Sequence, residues 1–227
     1  MPAMGLACAS AMGRRPTLKF ERPLWRLGAE LVAGVDEVGR GPLAGPVAAG
    51  AVVLPSNVRA SGCFRWLSRV NDSKVVSRPA REELAGYIWE HSLSAAVSFV
   101  HVDDIDRIGI AEASRQAMLA AVGDLQHRPQ HILIDGFGLK ACSLPQTGII
   151  DGDALSLSIA CASIIAKVAR DRLMREHDGR FPAYGFARNK GYGTAAHMRA
   201  IRFNGPCELH RRTFSPVREM IAQPLLI

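Results

Sequence analysis

Residues 31–55 read LVAGVDEVGRGPLAGPVAAGAVVLP. Two apolar runs, 31–37 and 46–54, flank the Gly/Pro turn GRGPLAG, and this pattern predicts two strands joined as a hairpin. Asp36 and Glu37 interrupt the first run at its end. Side chains alternate across a strand, so adjacent acids point to opposite faces unless the strand is ending, and one of them then faces the core. A buried carboxylate with nothing to compensate it is costly. What neutralises this pair should therefore say what the protein does.

Outward from the hairpin, a polar loop carries Asn71-Asp72-Ser73-Lys74, and Ser77 is placed to N-cap a helix over 78–91 with Glu82 and Glu83 early in it. A third strand is expected over 93–102. From Asp103 the apolar spacing predicts one helix ending near Gly123, and HILIDG is a short apolar strand closed by Asp135-Gly136. TGIID supplies another strand. Residues 154–177 read as a long helix, apolar on nearly every side in its first half and charged in its second, so it starts in the core and emerges at the surface. The tail from Phe181 mixes glycine, aromatic and basic residues around one helix at 195–203. The order β-β-α-β-α-β-(β)-α makes this an α/β or α+β domain on a mixed sheet, with a helical, basic C-terminal region.

Composition sets the class. At 227 residues, 48% hydrophobic and 22% charged, the chain reads as soluble and globular. The most apolar run, 41–55, is too short for a bilayer and is broken by Pro42, Gly45 and Pro46. Residues 1–15 read as a disordered leader with no signal-peptide pattern, and a cytoplasmic location is expected. The five cysteines are scattered and never form a C-x-x-C pair, so reduced thiols are expected in place of disulfides or a zinc ribbon. Charge is one-sided: residues 1–166 carry 16 Lys+Arg and 16 Asp+Glu, whereas 167–227 carry 12 and 5. The whole surplus of +7 thus sits in the last quarter. That is the footprint of a face that binds a polyanion, although a solvated basic surface has the same composition.

No G-x-x-x-x-G-K-[ST] loop, G-x-G-x-x-G turn, H-E-x-x-H pair or G-x-S-x-G elbow occurs. The chemistry falls to acids that flank apolar segments: Asp36, Glu37, Asp135 and Asp153. Taken singly, Asp135 before Gly136 also fits a turn, and Asp153 fits an N-cap of the long helix. Clustered carboxylates without histidine or thiolate suit Mg²⁺ or Mn²⁺. Two such ions ~4 Å apart stabilise the attacking and leaving oxygens of a phosphodiester displacement, which is chemistry a basic protein would bring to nucleic acid.

GVDEVGRGPLAGPV, the NDSK of residues 71–74, ILIDG, GDALSLSIACASIIAKVARDR, YGFARNKGYGT and HRRTFSPV occur in order from about Phe20 to Val217. Together they closely resemble bacterial ribonuclease HII. The resemblance implies a ribonuclease H-like fold: a five-stranded mixed sheet flanked by helices, with a catalytic region over 16–180 and a C-terminal helical region, 181–227, that packs on it and helps hold substrate. It also implies an endonuclease that uses Mg²⁺ or Mn²⁺, through a two-metal site, on RNA/DNA hybrids. Such an enzyme also cuts 5′ to single ribonucleotides embedded in DNA, leaving 3′-hydroxyl and 5′-phosphate ends. Matched by motif, Asp36, Glu37, Asp135 and Asp153 are the metal-binding carboxylates. Gly39-Arg40-Gly41 approaches the sugar and recognises the ribose 2′-hydroxyl. Lys74 lies near substrate phosphates, and Tyr192 packs on the sugar next to the ribonucleotide.

Departures from the family pattern are small: Thr213 stands where serine is commoner and Cys161 where alanine is. Ribonuclease HIII differs after its Asp-Glu pair and carries an added N-terminal domain, for which the roughly 30 residues before the pair leave no room. A monomer is expected. The terminal Gln223-Pro224-Leu225-Leu226-Ile227 loosely resembles peptides that grip the sliding clamp, although Pro224 and the lack of a phenylalanine favour the simpler reading of an apolar tail packing on its own domain. Two other readings use the same residues: a non-catalytic nucleic-acid-binding protein, which leaves four acids beside an anionic ligand unexplained, and a junction resolvase, which leaves the GRG and KGYGT motifs unexplained.

Overall fold

The computed structural model describes residues 15–58 and 62–222. The expected leader, except Arg15, and the QPLLI tail lie outside the described residues. Arg15 itself is engaged, donating from Nη1 to Ser68 O at 3.1 Å.

Five strands, β1 (Val32–Val38), β2 (Val47–Val53), β3 (Ser94–Val100), β4 (His131–Asp135) and β5 (Gln146–Ile149), form one sheet in the order β3-β2-β1-β4-β5. β1 and β2 are the antiparallel hairpin expected from residues 31–54, and β3 extends it. β4 and β5 run parallel to β1. The sheet is therefore mixed and five-stranded, as the resemblance implied. The helices are α1 (Glu21–Arg26), α2 (Arg78–His91), α3 (Val102–Ile108), α4 (Ile110–Gly123), α5 (Gly152–Leu155), α6 (Leu157–Arg180), α7 (Phe186–Asn189), α8 (Ala195–Asn204) and α9 (Val217–Ala222).

The two-residue period of the hairpin sorts its side chains between two layers. Ala33, Val35, Val47, Ala49, Ala51 and Val53 face Ala113, Ala117, Met118 and Ala121 of α4. On the other face, Val52 and Leu54 join Leu84, Ala85 and Ile88 of α2 and the apolar half of α6. Because β2 is covered on both faces, it is buried along its whole length. α6 lies unusually close to the sheet. A Cβ on Gly34 would fall 2.5 Å from Ser158 O, and one on Gly50 would fall 3.0 Å from Ala162 C, so only glycine at these two strand positions admits the helix backbone.

Several expectations need correcting. The single helix expected from Asp103 to Gly123 is two, α3 and α4, because Gly109 adopts φ +80° between them and ends the first. Ser77 occupies the N-cap position of α2, yet its side chain makes no capping bond. The long helix does not begin at Asp153. Ser156 is its N-cap, accepting from Ile159 N, and the buried Glu21 carboxylate of α1 accepts from Ser158 N at 2.9 Å and from the Ser156 and Ser158 hydroxyls. A carboxylate there also opposes the positive end of the helix. The capping role is thus filled from elsewhere, and Asp153 sits in the separate turn α5.

The C-terminal region is fastened by its own apolar cluster: Met174 of α6, Tyr184, Phe186, Ile201 and Val217 close around Leu43 and Ala44, just after the GRG turn. No described helix is long and apolar enough to cross a membrane.

Candidate active site

Parallel pairing brings the acids to one edge. Val35 is in register with Ile134, so Asp36 and Asp135, each one residue further along, lie side by side where β4 ends, while β1 runs on to Val38 against β2. β5 ends at the same edge, and the chain turns at Asp151, in the left-handed region at φ 54°, into α5. Gly152 N donates to Asp135 Oδ1 at 2.7 Å. A Cβ on Gly152 would meet Ile159 Cδ1 at 2.8 Å and Asp135 Cα at 3.3 Å, so a larger residue here would have to displace the Ile159 side chain. Asp153 follows at once. The four acids predicted from sequence are therefore brought together.

Their electrostatics are unfavourable in isolation. Burial holds the Asp36 carboxyl well above the usual carboxylate range, and Glu37, Asp135 and Asp153 add repulsion, with Ser163 pulling the other way. Asp135 is also raised, by burial first and then by Asp153 and Glu37, against the Gly152 amide and Lys74. Positive charge is supplied at two points. Arg40 Nη1 lies 3.0 Å from Glu37 Oε1, and Lys74 Nζ lies 3.3 Å from Asp153 Oδ2. Desolvation alone would lower the Lys74 ammonium, but Asp153, Asp72 and Asp36 outweigh it and hold it above the usual lysine range.

A cleft of about 260 Å³ is lined by Asp36, Glu37, Gly39, Arg40, Gly41, Ser73, Lys74, Asp135, Ser163, Lys167 and Tyr192, while Asp153 is off its lining and reaches it through Lys74. Every predicted substrate-binding residue is in it. Among the described residues no three His, Cys, Asp or Glu side chains converge enough to hold an ion unaided. The donor set still fits a hard divalent ion: it is all oxygen, partly buried and mutually repelling. Mg²⁺ in particular is usually held by one or two carboxylates with water and substrate phosphate completing its shell.

The family model for ribonuclease HII matches residues 33–217. The chain belongs to the ribonuclease HII family. It is 48% identical over 219 residues to the ribonuclease HII of Geobacter metallireducens, an alignment covering 96% of this chain and 100% of that one. The crystal structure of ribonuclease H2 from Pyrococcus horikoshii OT3 superposes with TM-score 0.69 at 25% identity, covering 83% of this chain and 96% of that one. Bst ribonuclease HIII in complex with Mn²⁺ shares the fold, with TM-score 0.65 at 20% identity over 87% of this chain and 71% of that one. As a ribonuclease HII the chain is a nuclease and hydrolase of ribonuclease H type. The readings as a binding module or a resolvase give way to this one.

Some residues of this ribonuclease HII site escape sequence reasoning. Ser163 of α6 and Ser73 share a hydrogen bond of 3.0 Å beneath Asp36, and Arg81 pins the NDSK turn by donating to Ser73 O and Val76 O. Ser163 stands in an apolar helical run, where nothing in the pattern marks it. Nor is the basic surplus all surface: Arg170 and Arg211 are wholly buried. The substituted positions are inert toward the cleft. Thr213 Oγ1 donates to Asp106 at 2.6 Å, and Cys161 is core, its thiol pushed up by burial.

A buried histidine pair supports the Tyr192 turn. His210 Nδ1 accepts from Cys207 N at 2.9 Å, so His210 Nε2–H must donate to His197 Nε2 at 3.1 Å, and His197 Nδ1–H donates to Tyr192 O at 2.9 Å. A proton added at either acceptor nitrogen would set two donors face to face. Burial, then His197, pushes His210 down to about 4, while its unfolded value is near 6.5. Between those pH values the unfolded chain binds the extra proton, so stability falls as pH drops from 6.5 to 4, by on the order of 3 kcal/mol. Calorimetry of the protein and of His210→Asn over that range checks this. The variant should start lower but show the shallower slope.

Proposed function

We propose that the chain hydrolyses the RNA strand of RNA/DNA hybrids and cuts 5′ to single ribonucleotides embedded in duplex DNA, leaving 3′-hydroxyl and 5′-phosphate ends. One observation carries this reading: the Asp36 carboxyl is held well above the usual carboxylate range by burial and then by Glu37, Asp135 and Asp153, in a cleft also lined by Gly39-Arg40-Gly41 and Tyr192. Such an arrangement stores repulsion that a divalent cation relieves.

Asp36, Glu37, Asp135 and Asp153 would hold Mg²⁺ or Mn²⁺, and a pair of ions is the arrangement expected for this chemistry. When bound, the metal supplies an activated water and charge stabilisation at the phosphorus. The protein's own groups do the rest. Lys74, tied to Asp153, places a compact cation at the phosphate entrance. Tyr192, 43% exposed with Lys167 Nζ 5.9 Å from its ring centroid, offers a flat face to a sugar. The Gly39-Arg40-Gly41 backbone meets the 2′-hydroxyl, the group that separates RNA from DNA.

The assay uses a DNA duplex with one ribonucleotide, a full RNA/DNA hybrid and an all-DNA duplex, each with Mg²⁺ or Mn²⁺. Cleavage of the first two with 5′-phosphate products, sparing the third, is expected. Cutting of the all-DNA duplex, or none of the ribonucleotide duplex, would sink the proposal.

The structure separates the two glycines of the turn. A Cβ on Gly39 would lie 2.7 Å from Arg170 Cδ at φ +93°, whereas one on Gly41 meets nothing within 4 Å. Gly39→Ala should therefore lower the melting temperature. Gly41→Val should leave it within about 2 °C yet cut kcat/KM on the single-ribonucleotide duplex by roughly 10–100-fold, because its bulk stands only in the substrate's path. Thermal melts and steady-state kinetics on both variants check this.

A further inference from the structure

Among the described residues, Arg170 and Arg211 are the two largest fully buried side chains, and neither has a carboxylate within ion-pair distance. A buried guanidinium without a counter-charge is expensive, and an apolar side chain of like volume would cost less. Both arginines instead spend their donors on main-chain carbonyls beside the cleft. Arg211 donates from Nη2 to Gly39 O at 2.6 Å, from Nη1 to Arg40 O at 2.8 Å and from Nε to Gly45 O at 3.0 Å. Arg170 donates from Nε to Pro46 O at 2.8 Å, from Nη2 to Ala44 O at 3.1 Å and from Nη1 to Lys190 O at 3.0 Å. All but one of these acceptors belong to the loop from Gly39 to Pro46, and Lys190 leads into the Tyr192 turn.

The peptide unit is planar and trans, so a carbonyl and the N–H of the next residue point in opposite directions. With the Gly39 and Arg40 carbonyls drawn inward to Arg211, the amides of Arg40 and Gly41 must point away from it, on the side where both residues line the cleft. Neither amide donates to a backbone acceptor among the described residues. They are two free donors held at a fixed spacing, and a ribose 2′-hydroxyl oxygen can accept from them where deoxyribose has nothing to offer.

We propose that Arg170 and Arg211 are positioning residues that set the enzyme's preference for a ribonucleotide: by holding the loop's carbonyls inward, they present the Arg40 and Gly41 N–H groups to the 2′-hydroxyl. The inference rests on the function proposed above. Burial and the neighbouring Arg170 push Arg211 down only to about 9, so its guanidinium is still cationic at neutral pH and all its donors are available. Lysine cannot substitute, since one ammonium cannot span three carbonyls in the plane of a guanidinium fork.

The test compares the protein with Arg211→Lys and Arg170→Lys. Affinities are measured without divalent ion for a duplex holding one ribonucleotide and for the matching all-DNA duplex, alongside kcat/KM with Mg²⁺ on the first, and circular dichroism reports folding. The expected result is a folded Arg211→Lys protein whose affinity for all-DNA duplex is unchanged. Its preference for the ribonucleotide duplex should fall about tenfold, with a matching loss in kcat/KM. A folded variant that keeps the preference within about twofold overturns the proposal, as does loss of the folded state in both variants, which would make the arginines core structure only. If the unsubstituted protein itself shows no preference for the ribonucleotide duplex, the proposed function fails first, whatever the variants do.

Discussion

Asp36→Asn is expected to melt ~2–8 °C higher than the unsubstituted protein when no divalent ion is present, while cleaving a ribonucleotide-containing duplex about 10³-fold more slowly or worse. The two effects share one cause. Asp36 has its carboxyl held well above the ordinary range by burial and by three neighbouring acids. A carboxyl whose folded value is raised contributes stability below its unfolded value, near 3.9, and that contribution is lost as pH rises through the folded value. At neutral pH the ionised group is a burden, which asparagine removes while keeping an oxygen to accept from Glu37 N, now at 2.8 Å from Asp36 Oδ1. Mg²⁺ or Mn²⁺ should raise the melting temperature of the unsubstituted protein by mass action, and that of the variant far less. A variant that melts lower than the unsubstituted protein without metal, or that still cleaves, would contradict this account.

Gly34→Ala should be the most destabilising single-methyl substitution in the hairpin, costing ~3 kcal/mol or more, although alanine is among the mildest replacements elsewhere. The added Cβ would meet the α6 backbone at Ser158 and Ile159, and backbone cannot swing aside as a side chain can. Relief requires β1 and α6 to part. That movement reaches the site, because Asp36 lies two residues along the same face of β1 and Ser163 lies just over one turn along α6. Denaturant unfolding should show the full loss of stability. Metal titrations should show weaker binding at temperatures where the variant is still folded. An unchanged midpoint would mean that the strand and helix are less tightly seated than described.

Much of this was legible in the chain. The period-2 runs on either side of GRGPLAG marked the hairpin, HILIDG marked β4, and the apolar half of residues 154–177 marked the helix beneath the sheet. The four acids stood out because charge at the end of an apolar segment is rare unless something neutralises it. Less legible was everything that depends on a distant partner. Gly109 looks tolerable inside a helical run until its positive φ is seen to end α3. Asp153 looks like a helix cap until Ser156 and Glu21 are found in that role, the latter from a helix more than a hundred residues earlier.

Local pattern alone marked the hairpin, β3, β4 and the main helices, and set the Asp36-Glu37 pair apart, because periodicity and desolvation cost act residue by residue. The ordering of the sheet, with β4 beside β1 so that Asp36 and Asp135 emerge together, depends on which non-local pairing buries the most surface, and no window of sequence carries that. The same holds for Arg170 and Arg211. In the sequence they are two of twelve basic residues in a tail that reads as a phosphate-binding surface; in the fold their donors turn inward to the loop carbonyls, because those carbonyls are buried and have to be satisfied.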